Sequence, residues 1–454
     1  MSGGAGLSRR EVLGAAAAMT ALAPSAAMAS AGMAAARRPV PDGAPPFLWG
    51  VATAGHQVEG GNVGSDLWLL ESVSPTLFSE PSGDACDSYH RYREDIGIAA
   101  DLGLNAWRMG VEWARIEPEP GRFSLAALDH YERVVDHALE RGLAPFVTLN
   151  HFTSPRWLVA MGGYEVEEAA DRYAAYADRV GRALGDRLAG AVTFNEPNVV
   201  QQVAWSPTGY GLDARTMALF DAMMRAGARA SGSDRFSTFL FCEMEKAHPV
   251  IMRAHVLGVQ ALKAGPGQYP VGISLAIADE QGVGEGHLAE RKKADVYEPW
   301  LRLAGAHSDF VGVQTYTRTL VGPEGSLPPS PGAELTSAQY EFYPEALEAT
   351  IAYAARVSGK PVYVTENGVA AHDDSRRVAY IDRALDALAR ARAGGVDVRG
   401  YFHWSLLDCF EWLHGYSRPF GLVSVDRETF ARTLKPSARR YAQRVAEARS
   451  HEGR

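Results

Sequence analysis

Eight short segments rich in apolar and aromatic residues run along the chain, each closes on turn chemistry, and stretches of helical periodicity separate them. Together these features predict an α/β fold, a closed (β/α)8 barrel of the TIM type with elaborated β-to-α loops. The segments are FLWGVATA from Phe47, NAWRMGVEW from Asn105, APFVTLNHF from Ala144, AVTFNEP from Ala191, VGISLAI from Val271, FVGVQTY from Phe310, PVYVTEN from Pro361 and RGYFHWSLL from Arg399. Their near-continuous apolar character suits strands covered on both faces, as parallel strands are. Helices are expected over 88–101, 126–140, 168–184, 245–263, 343–357 and 376–392. No G-x-G-x-x-G follows the first segment, which weighs against an open doubly wound sheet.

The spaces between strands are uneven. A long mixed stretch from Val199 to Met244 follows the fourth strand, residues 276–308 follow the fifth, and the Pro/Gly/Ser-rich stretch 322–338 follows the sixth. Such loops gather at the C-terminal mouth of a barrel, where active sites lie. They are expected to shape a substrate pocket, with the turn Trp205–Thr208 building an outer subsite.

The 454 residues are 46% hydrophobic and 22% charged, with 46 Gly and 25 Pro, a composition suited to a loop-rich globular enzyme. A formal charge of −9 argues against a nucleic-acid partner, which needs clustered cations to neutralise phosphates. Past the N-terminal leader no run is long and apolar enough to cross a membrane. The three cysteines, Cys86, Cys242 and Cys409, show neither a disulfide framework nor metal-ligand spacing, though one bridge stays open to them in an oxidising compartment. No metal and no cofactor are expected.

Residues 1–29 have the look of an export signal. Arg9 and Arg10 precede the apolar Leu13–Ala18, and Ala27-Met28-Ala29 supplies a small-residue cleavage site, with Ala31 as the alternative. The paired arginines mark the twin-arginine route, which moves folded proteins, so the destination is periplasmic or secreted. Residues 30–46 read as a lead-in, and 47–454 as a single domain.

Two carboxylates stand at strand ends. TFNEPN places Glu196 at the end of the fourth strand and VTENGV places Glu366 at the end of the seventh. Either alone is compatible with an ordinary capped or salt-bridged strand end. Both pointing into one barrel mouth are the equipment of glycoside hydrolysis, with about 5–5.5 Å between them in retaining enzymes.

Six stretches in order, WGVATAGHQVEG, WRMGVEWARIEP, NHFTSP, TFNEPN, VTENGV and YFHWSLLDCFEWLHGYSRPFGLVSVD, carry a wider likeness. The chain resembles glycoside hydrolase family 1, the retaining β-glucosidase and β-galactosidase type, across residues 47–445. The resemblance implies that Glu196 is the general acid/base and Glu366 the nucleophile. It implies that Gln57, His151, Asn195, Trp404 and Glu411 hold the innermost sugar, with Trp412 a further contact. Core packing competes with that role more for Trp412 than for Trp404. Arg108 matches a position beside the nucleophile, where a fixed cation would lower the pKa of Glu366. For Glu196 the expected lever raising its pKa is chiefly the Glu366 charge, with apolar neighbours such as Phe194 or Trp205 secondary.

The chain also departs from the family. Gln314-Thr315-Tyr316 stands where Asn-Tyr-Tyr is usual; Tyr316 keeps the phenol that can bond the nucleophile, while Gln314 is one methylene longer than Asn. Cys409 replaces a common Asn, and the segment after SDLW lacks the usual Asp. Glu196 is not replaced by Gln, which disfavours the thioglucosidase branch, and Glu411 would repel a phosphorylated sugar. The expected activity is that of a retaining exo-acting β-glycosidase, chiefly on β-D-glucosides, with galactosides or fucosides tolerated. The alternatives are a transglycosidase on the same scaffold and a non-catalytic sugar-binding protein. The small-molecule glycoside is the expected partner, and the sequence leaves the oligomeric state open.

Overall fold

A computed structural model of the chain describes residues 46–205 and 214–452. The leader 1–29, nearly all of the lead-in 30–46 and the turn residues Ser206–Thr208 lie outside the described residues. The unit Pro46–Arg454 carries the barrel.

All eight expected strands form. They are β1 Leu48–Ala52, β2 Ala106–Gly110, β3 Ala144–Asn150, β4 Gly190–Asn195, β5 Val271–Ala276, β6 Phe310–Gln314, β7 Val362–Asn367 and β8 Val398–Trp404. Each pairs in parallel with the next and β8 pairs with β1, closing the barrel in chain order. A helix follows every strand: α1 Ser88–Asp101, α2 Leu125–Glu140, α3 Glu168–Leu184, α4 Met244–Ala264, α5 Glu298–His307, α6 Ala346–Ser358, α7 Asp374–Ala393 and α8 Pro436–Glu452.

Local chemistry sets these elements. Ser124 caps α2 by accepting from the Ala127 amide, and Leu128, Tyr131, Val134, Val135 and Ala138 then recur at helical spacing on its buried face. The α6 helix stops at Gly359, whose φ of 66° is left-handed. The Tyr441 hydroxyl of α8 donates to the Gly50 carbonyl of β1 at 2.8 Å, tying the last helix to the first strand.

Below the mouth the barrel is plugged by aromatic rings. Phe146 lies 5.6 Å from Phe310, 5.4 Å from Tyr363 and 5.2 Å from Phe402 between ring centroids. Glycines make the room: a Cβ on Gly50 would meet Phe402 at 2.7 Å, and one on Gly190 would meet Phe146 at 2.2 Å. Large residues on some strands therefore face none on others, which is how a barrel interior fills without voids. That plug gives the active site a rigid floor.

The loops after β5 and β6 pair with each other. Asp279–Gly282 after β5 pairs in parallel with Arg318–Gly322 after β6, and the latter pairs antiparallel with Gly325–Leu327. Two loops thus build one small sheet. In the long stretch after β4, helix Ala214–Ser231 packs on helix Asp66–Ser72 around Leu67, Leu70, Phe78, Met223 and Phe410, a second apolar cluster against which Trp412 also rests. All three cysteines are free, so the bridge left open by the sequence is absent. Among the described residues no helix is long and apolar enough to cross a membrane, and no group of His, Cys, Asp and Glu is arranged to hold a metal.

Candidate active site

The site is assembled on Arg108. This side chain rises from the middle of β2 into the barrel and is fully buried. Its Nη1 donates to Glu366 Oε1 at 2.6 Å and to the Thr365 carbonyl at 3.2 Å, while Nη2 donates to Asn195 Oδ1 at 2.6 Å. One guanidinium therefore joins the ends of β4 and β7. A buried charge left alone would cost several kcal/mol, so this pairing is what allows Arg108 to sit there.

Glu366 has one strong donor on each oxygen. Arg108 serves Oε1, and the Tyr316 hydroxyl donates to Oε2 at 2.6 Å. Burial pushes the Glu366 carboxyl upward, against Arg108, Tyr316 and Gln314, which all favour the anion. The expected lowering by Arg108 is thus present but does not decide the net direction.

Glu196 follows Asn195 directly. Its φ of 47° is left-handed, uncommon for a residue with a side chain, and its amide donates to the Ser274 carbonyl at 2.8 Å. Strain of this kind, roughly 1–3 kcal/mol, persists where the surroundings over-determine the backbone. Desolvation is the first cause holding the Glu196 carboxyl well above the usual range, the Glu366 charge is second, Glu411 adds to them, and Arg108 opposes. This reverses the expected order of causes. Phe194 is also not a wall of the pocket: it stacks on Tyr173 at 4.3 Å and meets Tyr164 and Phe239, facing the helix layer. Strand alternation turns it away from the mouth. Of the two carboxyls, Glu196 is held the further above the usual range, because Arg108 and Tyr316 both serve its partner.

Sugar-contact candidates surround this pair. His151 Nε2 lies 3.3 Å from Asn195 Nδ2, and burial with the Arg108 charge holds the imidazole well below its usual pKa, so it is neutral. Its ring is nearly parallel to Trp404 at 5.7 Å and to Trp412 at 6.1 Å. Trp412 is in turn parallel to His56 at 5.8 Å. Trp404 is the more buried indole and Trp412 is half-buried, contrary to the expectation that core packing competes more for Trp412. At the far side Gln57 donates Nε2 to the Phe410 carbonyl at 2.7 Å and to Glu411 Oε2 at 3.3 Å. A carbonyl only accepts, so the Gln57 amide cannot be reversed. Its Oε1 is buried without a protein partner and is the atom left for a ligand.

All ten candidate residues thus belong to one connected cluster. Two features of it were not legible in the sequence. His56 supports Trp412 from below and is itself held by Glu71 at 2.7 Å, a pairing between residues with no motif linking them. Arg418 lies near enough to lower the Glu411 pKa.

Glu411 nevertheless rises from 4.5 to about 8, first through burial and then through the Glu366 charge. A carboxyl raised on folding stabilises the native state below its unfolded pKa and loses that contribution as pH climbs through its folded one. Glu411→Gln cannot ionise. Its melting temperature is therefore expected to gain on the wild type progressively between pH 4.5 and about 8, the range of the Glu411 shift. A gain independent of pH, or largest in acid, would contradict the assignment.

The comparisons agree with the geometry. Glycosyl hydrolase family 1 matches residues 41–240 and 267–450. Beta-glucosidase A of Thermotoga maritima is 34% identical over 88% of this chain and 96% of its own, and thermostable beta-glucosidase B of Thermobispora bispora is 33% identical over 88% and 89%. The solved apo structure of a beta-glucosidase 1317 superposes with a TM-score of 0.85 at 47% identity, over 88% of this chain and 98% of that one. With a closed eight-stranded parallel barrel whose mouth holds Glu366 on a buried arginine, the chain belongs to glycosyl hydrolase family 1 and is a glycoside hydrolase.

Proposed function

We propose that this protein is an exported β-glucosidase that releases terminal, non-reducing β-D-glucosyl residues by double displacement. The observation that carries the reading is the unequal treatment of two neighbouring carboxyls: Glu366 is held by Arg108 and Tyr316, while Glu196 keeps a proton beside it. Relatives named as beta-glucosidases support the choice of sugar.

In the first half-reaction Glu366 attacks the anomeric carbon and Glu196 passes its proton to the departing glycosidic oxygen. The carbon–oxygen bond breaks as an acylal ester to Glu366 forms. That ester no longer carries the charge that kept Glu196 protonated, so the proton affinity of Glu196 falls. In the second half-reaction Glu196 takes a proton from water, which displaces Glu366 and restores both groups. Two inversions leave the anomeric configuration retained. Gln57 and Glu411 hold hydroxyls at one end of the ring, and Trp404 faces its C–H side.

Glu196→Ala removes the acid and leaves the nucleophile. Turnover of alkyl β-glucosides is expected to fall by about 10²–10⁴-fold, with far smaller losses for aryl glucosides whose phenols depart without protonation. Equal losses on both classes, measured as kcat/KM, would contradict the acid role.

Residues 1–29 give the reading its compartment. The Arg9-Arg10 pair, the apolar stretch and the Ala27-Met28-Ala29 site are the support for twin-arginine export. Replacing both arginines by lysine is expected to leave unprocessed protein in the cytoplasmic fraction of its producing cell. Unchanged export in that variant would reject the route.

A further inference from the structure

Gln314 ends β6 with its side chain buried in the site. Its Nε2 donates to Asn195 Oδ1 at 2.7 Å, the same oxygen that accepts from Arg108 Nη2 at 2.6 Å. An arginine has only donors, so Oδ1 of Asn195 must face Arg108, and the Gln314 amide must then present its N–H to that oxygen. Both amide orientations are fixed by hydrogen-bond sense alone. Two donors also fill both lone pairs of Asn195 Oδ1.

We propose that Gln314 is a positioning residue that makes Asn195 a donor-only contact for the sugar's 2-hydroxyl, steering that hydroxyl's own hydrogen toward Glu366. The proposal rests on the β-glucosidase reading above and on the placement of Asn195 at the 2-hydroxyl. Asn195 has Nδ2 left to offer, with one hydrogen directed to His151 Nε2 over a long 3.3 Å. A 2-hydroxyl that accepts from the other must send its own proton elsewhere, and the Glu366 carboxyl, which accepts from Arg108, is the acceptor in this part of the site. As positive charge develops on the ring that hydroxyl becomes more acidic, and its bond to the carboxylate strengthens in the transition state. Gln314 also favours the Glu366 anion directly. A shorter amide, drawn back by about 1.5 Å, could not serve Asn195 in the same position. The Oε1 of Gln314 is buried without a protein partner, so the side chain is held in place by its N–H end.

The test compares an aryl β-glucoside with its 2-deoxy analogue on wild type, Gln314→Met and Gln314→Asn. Methionine keeps the length and loses the amide. For the glucoside, kcat/KM of Gln314→Met is expected to fall about 10–100-fold, carried mainly by kcat; for the 2-deoxy analogue it is expected to fall less than about threefold. Gln314→Asn, whose shorter amide does not reach Asn195, should show the same substrate-dependent loss as Gln314→Met. The ratio of the two substrates is read on one preparation, so a partly unfolded variant does not alter it. Equal losses on both substrates would reduce Gln314 to a structural role, and no loss on either would remove any role; each overturns the inference. Wild-type enzyme that turns over both substrates equally would instead overturn the placement of Asn195 at the 2-hydroxyl, a result visible before any variant is made.

Discussion

The ion pair between Arg108 and Glu366 sets the state of everything around it. The guanidinium is the cation bonded to Glu366 in a cavity that also holds Glu196 and Glu411. One bonded cation favours the carboxylate it reaches over its neighbours, so ionisation of the three is competitive. Glu366 takes the compensation because both of its oxygens also have close donors. Glu196 and Glu411 are then pushed toward their neutral forms by burial and by the charge they face. In the proposed mechanism, the division of labour between nucleophile and acid follows from which carboxyl Arg108 reaches.

The same arginine explains why the strands must close accurately. It originates on β2, and its partners stand on β4 and β7, so its bonds span the barrel. The rings of Phe146, Phe310, Tyr363 and Phe402 beneath it fix the spacing of those strands. Close-packed interiors transmit small shifts, and a site that depends on bonds of 2.6 Å to one guanidinium has little tolerance for them. The fold and the protonation pattern are in this sense one design.

The barrel was legible because its signals are local. Each strand announces itself by a run of apolar residues and each site glutamate by its position at the end of such a run. Signals that depend on distant residues were not legible. The pairing of Asp279–Gly282 with Arg318–Gly322 joins two loops whose sequences carry no mark of each other. Phe194 looked like a neighbour of Glu196 because it is two residues away, yet strand alternation sends it to the helix layer. Gln314 was visible as a departure, but its bond to Asn195 crosses from β6 to β4 and needed coordinates. The balance of causes at Glu196 was misjudged for a similar reason: a charge partner can be named from a motif, whereas desolvation depends on everything that closes over the cavity.

The central claim is that Glu366, bonded to Arg108, forms a bond to the sugar. In a β-glucosyl fluoride bearing fluorine at the 2-position, the 2-fluorine slows both displacements while the good leaving group speeds only the first, so that the ester accumulates. Mass analysis of peptides from the treated enzyme is expected to show one fluoroglucosyl group per chain, attached at Glu366. Inactivation without an adduct, or an adduct on Glu196 or Glu411 instead, would contradict the account.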